Sequence, residues 1–593
     1  MELNRDRMRL FWLIPLWLFG SCSPEPEQVN RPSQSVEQPD ADTPLPTSVV
    51  VGKPDEPLVD LGLVEDFSEA VANRFVELAD KQRRRDFTAA RDWIDPAFVG
   101  DRLSGLPLES EEALPLGARS RTFDTSTPEV VGRTGFLAAL AGLLSPWERV
   151  EAVVWKVKGA EFQNTKPDWG RIKTKITMLG SDGSGGPRSI VAWAWTRVER
   201  KKGNWLLTAF ELTSLEELSS PAPLFTDVAT STGVANTGVR FGQPGNQSFA
   251  WNGVAAGDVN GDGRWDLFVP STPKNFLYIA SSSEGEDGLV GWFQDEAAER
   301  GVEGPAGGTG AVFFDFDNDG DQDLALAGVG WKNGGDRLRF WRNDGQGKFE
   351  EVGEELGFAD TCHGFALVAL DAEGDGWVDL FVCNYGRVKD EPNNSWIQAT
   401  NGTPNRYYQN LEGKGFRECA QERGLADSDW SYAAAAADVD GDGDQDLYVA
   451  NDYGRNHLWA NDGAGRFQES AEEFGVRDIG NGMGCAWGDL NQDGALDLYV
   501  SNMSSTAGNR ILQRLTQKDE TWSQLKKLAA GNSIFLQRSA GDGEPRFELA
   551  PGGMGGIGGS WAWSPALCDL DLDGRLDVYL CNGFVTGDTP ADT

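Results

Sequence analysis

Six segments share the spacing Asp-x-(Asp/Asn/Glu)-x-Asp-Gly-x-x-Asp, which puts side-chain oxygens at positions 1, 3, 5 and 9 of a nine-residue loop. In chain order they are Asp258, Asn260, Asp262 and Asp266; Asp315, Asp317, Asp319 and Asp323; Asp371, Glu373, Asp375 and Asp379; Asp438, Asp440, Asp442 and Asp446; Asp489, Asn491, Asp493 and Asp497; and Asp569, Asp571, Asp573 and Asp577. A hard divalent cation takes six to eight oxygens at about 2.3–2.6 Å, and side chains so spaced, helped by the position 7 carbonyl, converge if the backbone curls around one centre. Position 6 is glycine in every copy, Gly263, Gly320, Gly376, Gly443, Gly494 and Gly574, which allows the sharp turn such a loop needs. Without a cation the crowded carboxylates repel and raise one another's pKa. The expected cofactor is Ca²⁺, at about six sites.

The residues after each loop distinguish it from an EF-hand, which closes with Glu at position 12 between two helices. Here the loop closes at position 9 and runs into an apolar triplet: Leu267 to Val269, Leu324 to Leu326, Leu380 to Val382, Leu447 to Val449, Leu498 to Val500 and Val578 to Leu580. The next element is therefore a strand. One such loop alone reads equally well as a solvated Asp/Gly turn; six with the same closure and the same apolar triplet read as metal sites.

The first Asp of each loop recurs at intervals of 57, 56, 67, 51 and 80 residues, a repeat architecture. Between loops lie hairpin signals, an aromatic strand leading to a Gly-rich turn, clearest at Arg339–Phe349, Arg406–Phe416 and His457–Phe467; Asn-Asp-Gly joins antiparallel strands. Glycine-containing stretches at Gly353–Gly357, Gly424–Ala426 and Gly475–Val476 lead back into the next strand. Three or four short strands per repeat form a blade, and blades repeated radially make a β-propeller with only short, protected edges. The 22 Trp and 30 Phe supply apolar faces between blades. The longest interval contains Thr516–Ala530, a predicted surface helix, and has room for a blade without an acidic loop. Phe225–Gly233 reads as the end of a unit and Val578–Gly583 as the start of one, so the two are expected to complete one blade together.

These repeats resemble the FG-GAP/VCBS class of integrin alpha-subunit propellers, and more narrowly the ASPIC/UnbV-associated and cartilage acidic protein-like proteins. The resemblance covers roughly residues 225–593. It implies a mainly β fold, a seven-bladed propeller whose Asp-rich loops bind calcium between neighbouring strands of each blade, with the position 1, 3, 5 and 9 side chains as ligands.

The front of the chain reads differently. Residues 1–21 carry Arg5, Arg7 and Arg9 ahead of about a dozen apolar residues, a secretory signal too short to span a bilayer. Gly20, Ser21 and Cys22 resemble a bacterial lipobox, which would make Cys22 the lipidated first residue. Residues 22–60, rich in Pro, Glu, Ser and Asp, are expected to form a disordered tether. Residues 61–218 form a separate α+β module: apolar spacing predicts a helix over Phe67–Ala79, continued in register by Asp86–Ile94, then strands at Val150–Val157, Gly170–Met178, Ser189–Val198 and Trp205–Leu212. The order resembles an NTF2-like cone. Trp155, Trp193, Trp195 and Trp205 would line a pocket or, more simply, fill the core.

The net charge is −39, and 22 of the negative charges lie at positions 1, 3, 5 and 9 of the acidic loops. Such a chain should repel nucleic acid and anionic membranes. Six cysteines besides Cys22 (Cys362, Cys383, Cys419, Cys485, Cys568 and Cys581) could oxidise after export or stay as buried thiols. With only His363 and His457 in the chain, multi-imidazole zinc chemistry is excluded, and Cys362 beside His363 lacks the orienting third group of a catalytic pair. The reading is an exported, lipid-anchored calcium-binding propeller of the bacterial envelope or cell surface, without a catalytic constellation. It would serve adhesion, protein interaction or ligand capture toward a surface protein or glycan. The alternative is an extracytoplasmic enzyme acting on a polysaccharide.

Overall fold

The computed structural model describes residues 45–164, 168–235, 253–271, 274–284, 290–328, 330, 335–387, 391–504, 508, 512, 520–538, 546–551 and 561–582. The signal segment 1–21, Cys22 and the tether up to residue 44 lie outside the described residues. The chain divides into two compact units, one comprising Met1–Thr226 with Thr506–Leu515, the other Asp227–Ser505 with Thr516–Thr593.

The first unit is α+β. Helix α1 (Leu61–Arg83) begins where the Asp60 carboxylate accepts the Leu63 N–H at 3.1 Å, a side-chain cap for an otherwise unpaired helix donor. Val64, Ser68, Val71, Phe75, Leu78, Ala79 and Gln82 are its buried residues, a stripe at helical spacing. Arg85, left-handed at φ 59, stops it. Asp86–Ile94 therefore does not prolong the helix as expected; the segment makes a 3₁₀ turn at Ala89–Trp93 and enters a strand, Ile94–Asp101. A second helix, α2 (Arg133–Leu144), also goes beyond the sequence reading.

The four expected strands are present and longer: Trp147–Phe162, Trp169–Asp182, Pro187–Lys201 and Asn204–Ser219. They pair antiparallel in chain order, extended by Arg119–Phe123 and Leu108–Ala113, while Ile94–Asp101 joins Asn204–Ser219 in parallel. Residues ahead of Leu61 already belong to this fold: Val49, Val51 and Leu58 are buried, and the Leu58 N–H reaches the Phe162 carbonyl at 2.7 Å.

The four tryptophans divide between the two sheet faces. Trp155 and Trp205 are buried beside α1 with Phe75, Phe162 and Phe210, and Trp155 Nε1 donates to Gln82 Oε1 at 2.9 Å. Trp193 and Trp195 lie on the other face, under Lys173 and Arg171. They do not line one pocket.

The second unit is a succession of four-stranded antiparallel meanders, each blade-like. The first is Ala255–Gly257, Asp266–Val269, Phe276–Glu284 and Val290–Asp295; the second Gly310–Phe314, Asp323–Ala327, Arg339–Asn343 and Phe349–Glu351. The third is Gly364–Leu370, Asp379–Asn384, Arg406–Asn410 and Phe416–Glu418; the fourth Trp430–Ala437, Asp446–Asp452, His457–Asn461 and Phe467–Glu469. The fifth is Gly482–Gly488, Asp497–Asn502, Ser533–Gln537 and Phe547–Leu549, and a sixth shows two strands, Ala562–Cys568 and Asp577–Asn582. First strands of successive sheets adjoin one another, and apolar clusters such as Phe316, Phe340, Phe358, Leu380 and Phe416 fill the space between neighbouring sheets.

The long last interval holds no additional sheet among the described residues. Its helix, Glu520–Leu528, is inserted between the second and third strands of the fifth sheet. Gly353–Gly357 is a single helical turn, Gly353–Leu356, with its closing glycine, and Gly424–Ala426 and Gly475–Val476 follow the like turns Ala420–Arg423 and Ala471–Phe474; Gly357, Gly424 and Gly475 close the three in the left-handed conformation. Ala229–Thr232 with left-handed Gly233 repeats that turn ahead of the first sheet, as the end of a unit would. The seventh sheet implied by the resemblance is not among the described residues.

Candidate metal centres in the acidic loops

Each acidic loop is the turn between the first and second strands of its sheet, so the six loops occupy the same place in six sheets. Backbone donors already organise them. The position 1 carboxylate spans the turn: Asp315 accepts the Asp319 N–H at 3.2 Å and the Gly320 N–H at 3.0 Å, and Asp258, Asp371, Asp489 and Asp569 repeat both bonds in their loops. In the fourth loop Asp438 takes Gly441 and Gly443.

Position 6 lies at φ between 84 and 100 in all six loops, where only glycine is relaxed. Position 4 is left-handed too, even where it is Asn318, Gln492 or Leu572, a second demand of the turn that the Asp pattern does not announce.

The position 9 side chain points inward. Asp446, 1% exposed, accepts the Val439 N–H on Oδ2 at 3.1 Å and the Asn461 N–H on Oδ1 at 2.9 Å. Asp266, Asp323 and Asp497 make the same two bonds. Position 9 thus ties its loop to the third strand as well as facing the loop centre.

Carboxylate oxygens come within 4.8 Å of one another in three loops: Asp315, Asp317 and Asp319; Asp438, Asp440 and Asp446; and Asp569, Asp571 and Asp577. Together these sets use every one of positions 1, 3, 5 and 9. Burial, followed by neighbouring carboxylates, raises Asp317 and Asp440 above the ordinary range. Burial pushes Asp323 up to about 7 and Asp446 and Asp497 up to about 6, against the hydrogen bonds they accept.

Two carboxylates go beyond the sequence reading. Asp321 and Asp444, at position 7, were expected to offer only a carbonyl, yet burial and then the crowd of loop aspartates push both side chains up to about 6. Asp317 Oδ1, Asp321 Oδ1 and Asp444 Oδ1 are buried without a hydrogen-bond partner. Buried acceptors left unpaired are costly, and an all-oxygen, like-charged donor set suits a hard cation. The second and fourth loops fit calcium on these grounds, and the sixth offers the same compact group of three aspartates.

The other loops differ. Asn260 and Asn491 leave the first and fifth with fewer charges. The third has four carboxylates, but Glu373 is turned to the Arg423 guanidinium and to Gln409 Nε2, the latter at 2.9 Å, and Asp379 accepts the Tyr407 hydroxyl.

Cys362 and His363 do not form a pair. Burial pushes the Cys362 thiol up to about 12, and His363 Nδ1 lies 3.0 Å from Thr403 Oγ1. The six described cysteines are free thiols. No helix among the described residues is long and apolar enough to cross a membrane.

At the opposite end of the same hairpins, Trp430 pairs in register with Asp452. There Tyr385, Phe365, Tyr432 and Tyr453 gather, with Trp396, 68% exposed, set edge-on to Tyr453. Burial pushes Asp452 up to about 7 although Tyr385 Oη donates to it at 2.5 Å. Tyr453 is left-handed, φ 58, rare for so bulky a residue. The aromatic residues are visible in the sequence, but nothing in their spacing gathers them.

A family profile described as FG-GAP-like repeat matches residues 315–382 and 438–500, stretches that begin at the second and fourth acidic loops. Cartilage acidic protein 1 of Xenopus tropicalis is 25% identical over 390 residues, covering 56% of this chain and 57% of its own length. Its Mus musculus counterpart is 24% identical over 387 residues, with the same coverage. The chain thus spans a little over half the length of the curated relatives it matches. Among solved structures, a lectin of Agrocybe aegerita that recognises non-reducing terminal N-acetylglucosamine aligns with 70% of this chain and 85% of its own, at 13% identity and TM-score 0.29. A hexachlorocyclohexane dehydrochlorinase from Novosphingobium barchaimii aligns with 26% of this chain and 90% of its own, at 12% identity and TM-score 0.18. Likenesses this slight carry no argument about this protein's activity. Acidic loops, meander sheets and sequence agree: the chain carries FG-GAP-like repeats and is distantly homologous to cartilage acidic protein 1 over about 56% of its length.

Proposed function

We propose that this protein is an exported β-propeller whose acidic loops bind calcium for structural purposes, anchored through lipid on Cys22 and serving as an adhesion or ligand-binding module for a surface protein or glycan. The observation that carries the calcium reading is the convergence of like-charged carboxylates, most of them half-buried, at one repeated place, the turn between first and second strands, with Asp317, Asp321 and Asp444 each holding an unpaired buried oxygen. Positions 1, 3, 5 and 9 are the proposed ligands. An ion bound to the folded loops and not to the unfolded chain stabilises the fold by mass action.

This chain's own residues prepare each centre. The position 1 carboxylate draws the turn closed through the position 5 and 6 N–H groups, or in the fourth loop those of positions 4 and 6, and position 9 fixes the turn to the sheet. A bound calcium ion adds charge neutralisation and coordination.

The aromatic group of Tyr385, Trp430, Tyr432, Tyr453 and Trp396 lies at the far end of these hairpins and is favoured as the ligand-facing end. A solvent-exposed tryptophan beside a strained residue and a buried acid is a combination found where binding is organised.

The test is metal analysis of EGTA-treated, calcium-reloaded full-length protein, with thermal midpoints in calcium and in EGTA. Several equivalents of bound calcium and a higher midpoint in calcium support the reading. No bound calcium and equal midpoints overturn it. Binding to an array of glycans and envelope proteins, lost in a Trp396→Ala variant that keeps its midpoint, tests the ligand-facing end.

A further inference from the structure

We infer that the third acidic loop, Asp371–Asp379, is closed by the Arg423 guanidinium instead of a metal ion, so the chain takes up fewer calcium ions than it has acidic loops. The inference rests on the calcium reading of the other loops.

By sequence the third loop has everything the second, fourth and sixth have: carboxylates at positions 1, 3, 5 and 9 and glycine at position 6. Its acids nevertheless form no compact group, whereas those of the other three do. The cause is at position 3. Glu373 is one methylene longer than aspartate, and its carboxylate, while still against the position 9 carboxylate of Asp379, is bound by Arg423 Nη2 and Gln409 Nε2. Glu373 and Arg423 are only 15% and 13% exposed, so the pair is shielded from water and from salt.

Arg423 is held from its other side as well. Its Nη1 donates to the carbonyls of Ala464 at 2.7 Å and Gly465 at 3.2 Å, in the hairpin of the fourth sheet. A planar guanidinium gripped at both ends is pre-organised for its carboxylate. Position 9 has changed too: Asp379 Oδ2 takes the Tyr407 hydroxyl, whereas in the other five loops that oxygen takes the position 2 N–H.

The helical turns that end the sheets show the same division. The residue before each closing glycine is Arg300, Leu356, Arg423 and Phe474 in the first four sheets. Where it is Leu356 or Phe474, the loop of that sheet gains a fifth carboxylate, Asp321 or Asp444. Where it is Arg423, position 7 is the neutral Trp377. Where it is Arg300, position 3 is the neutral Asn260, and Arg300 pairs with Glu296. Arginines also approach position 3 in the second and fourth loops, but at longer range, Arg342 Nε 3.6 Å from Asp317 Oδ2 and Arg546 Nη1 3.8 Å from Asp440 Oδ2; among the described residues, only in the third loop does the guanidinium hydrogen-bond the position 3 carboxylate directly. A divalent ion entering the third loop would have to break the Glu373–Arg423 bond and sit beside a cation that cannot leave.

Calcium stoichiometry of full-length Asp375→Asn and Asp442→Asn proteins, EGTA-treated and reloaded, decides the matter. Both changes keep the oxygen that accepts the position 7 N–H. Asp442→Asn is expected to lose about one equivalent and Asp375→Asn none. Loss of an equivalent in Asp375→Asn overturns the inference; no loss in Asp442→Asn counts against calcium in the fourth loop instead. Should Asp375→Asn not fold, Arg423→Gln replaces it. A lower midpoint in EGTA, or one additional calcium equivalent, supports the inference, and an unchanged midpoint in EGTA with unchanged stoichiometry overturns it.

Discussion

The side-chain amide of Asn461 donates to the carbonyl of Ala372 at 2.8 Å, joining the third strand of the fourth sheet to the acidic loop of the third, 89 residues earlier. The same amide reaches Gln445 of its own loop at 3.2 Å, and its oxygen accepts the Asp462 and Gly465 N–H groups. Asn343 to Val259, Asn410 to Phe316 and Gln537 to Val439 repeat the link between other neighbouring sheets. Each of these acidic loops is therefore held by its own sheet and by the next sheet along the chain.

Removing that clasp should cost stability whether or not calcium is present. Asn461→Ala strands the Ala372 and Gln445 carbonyls and the Gly465 N–H, and is expected to destabilise by about 2–3 kcal/mol. Denaturant titrations in calcium and in EGTA check it. A loss below about 0.5 kcal/mol in both buffers would mean that water replaces the amide without penalty.

A ligand aspartate should behave in the opposite way. Asp438→Ala is expected to lose about one calcium equivalent and to lower the thermal midpoint in calcium much more than in EGTA, because binding energy is folding energy only when the ion is there. Metal analysis and paired thermal scans read both quantities. Equal destabilisation in the two buffers contradicts the assignment.

His457 gives the fourth sheet a pH response. Its Nε2 lies 2.7 Å from Asp429 Oδ2, with Glu469 near Nδ1. Burial opposes the charged ring, but the two carboxylates prevail and push the imidazole up to about 9 from an ordinary 6.5. The folded-state pKa is the higher one, so this stabilisation is complete below about pH 6.5 and disappears as pH rises through 9. His457→Gln should be less stable than the parent by about 2 kcal/mol at pH 6 and close to it at pH 10. A difference that does not vary with pH would argue against an ion-paired imidazolium.

In the first unit, Trp155 joins α1 to the sheet by burial and by its bond to Gln82. Trp155→Ala should cost about 3–5 kcal/mol through the cavity it leaves. Calcium uptake, proposed for loops of the other unit, should stay at the parental stoichiometry. Calorimetry combined with metal analysis measures both effects.

Much of this was legible before any fold was known, and the reason is local. A metal loop and the strand after it are contiguous, so a short stretch such as Asp438 to Asp452 carries the ligand spacing, the turn glycine and the strand signal together. The hairpins at Arg339–Phe349 and His457–Phe467 were readable for the same reason. The break at Arg85 was not, because apolar spacing resumes beyond it and a left-handed residue leaves no mark on periodicity.

The order of residues alone dictates the repeat, the position of each acidic turn and the chemistry of its donors, because spacing along the chain limits which oxygens a tight turn can bring together. Which turns keep their carboxylates for a cation is settled by packing in three dimensions. Arg423 lies 50 residues from Glu373, and Asn461 lies 89 from Ala372; such partners meet only when neighbouring sheets pack. Burial, which leaves Asp317 Oδ1 and Asp444 Oδ1 unpaired, likewise arises only when those sheets close over the loops.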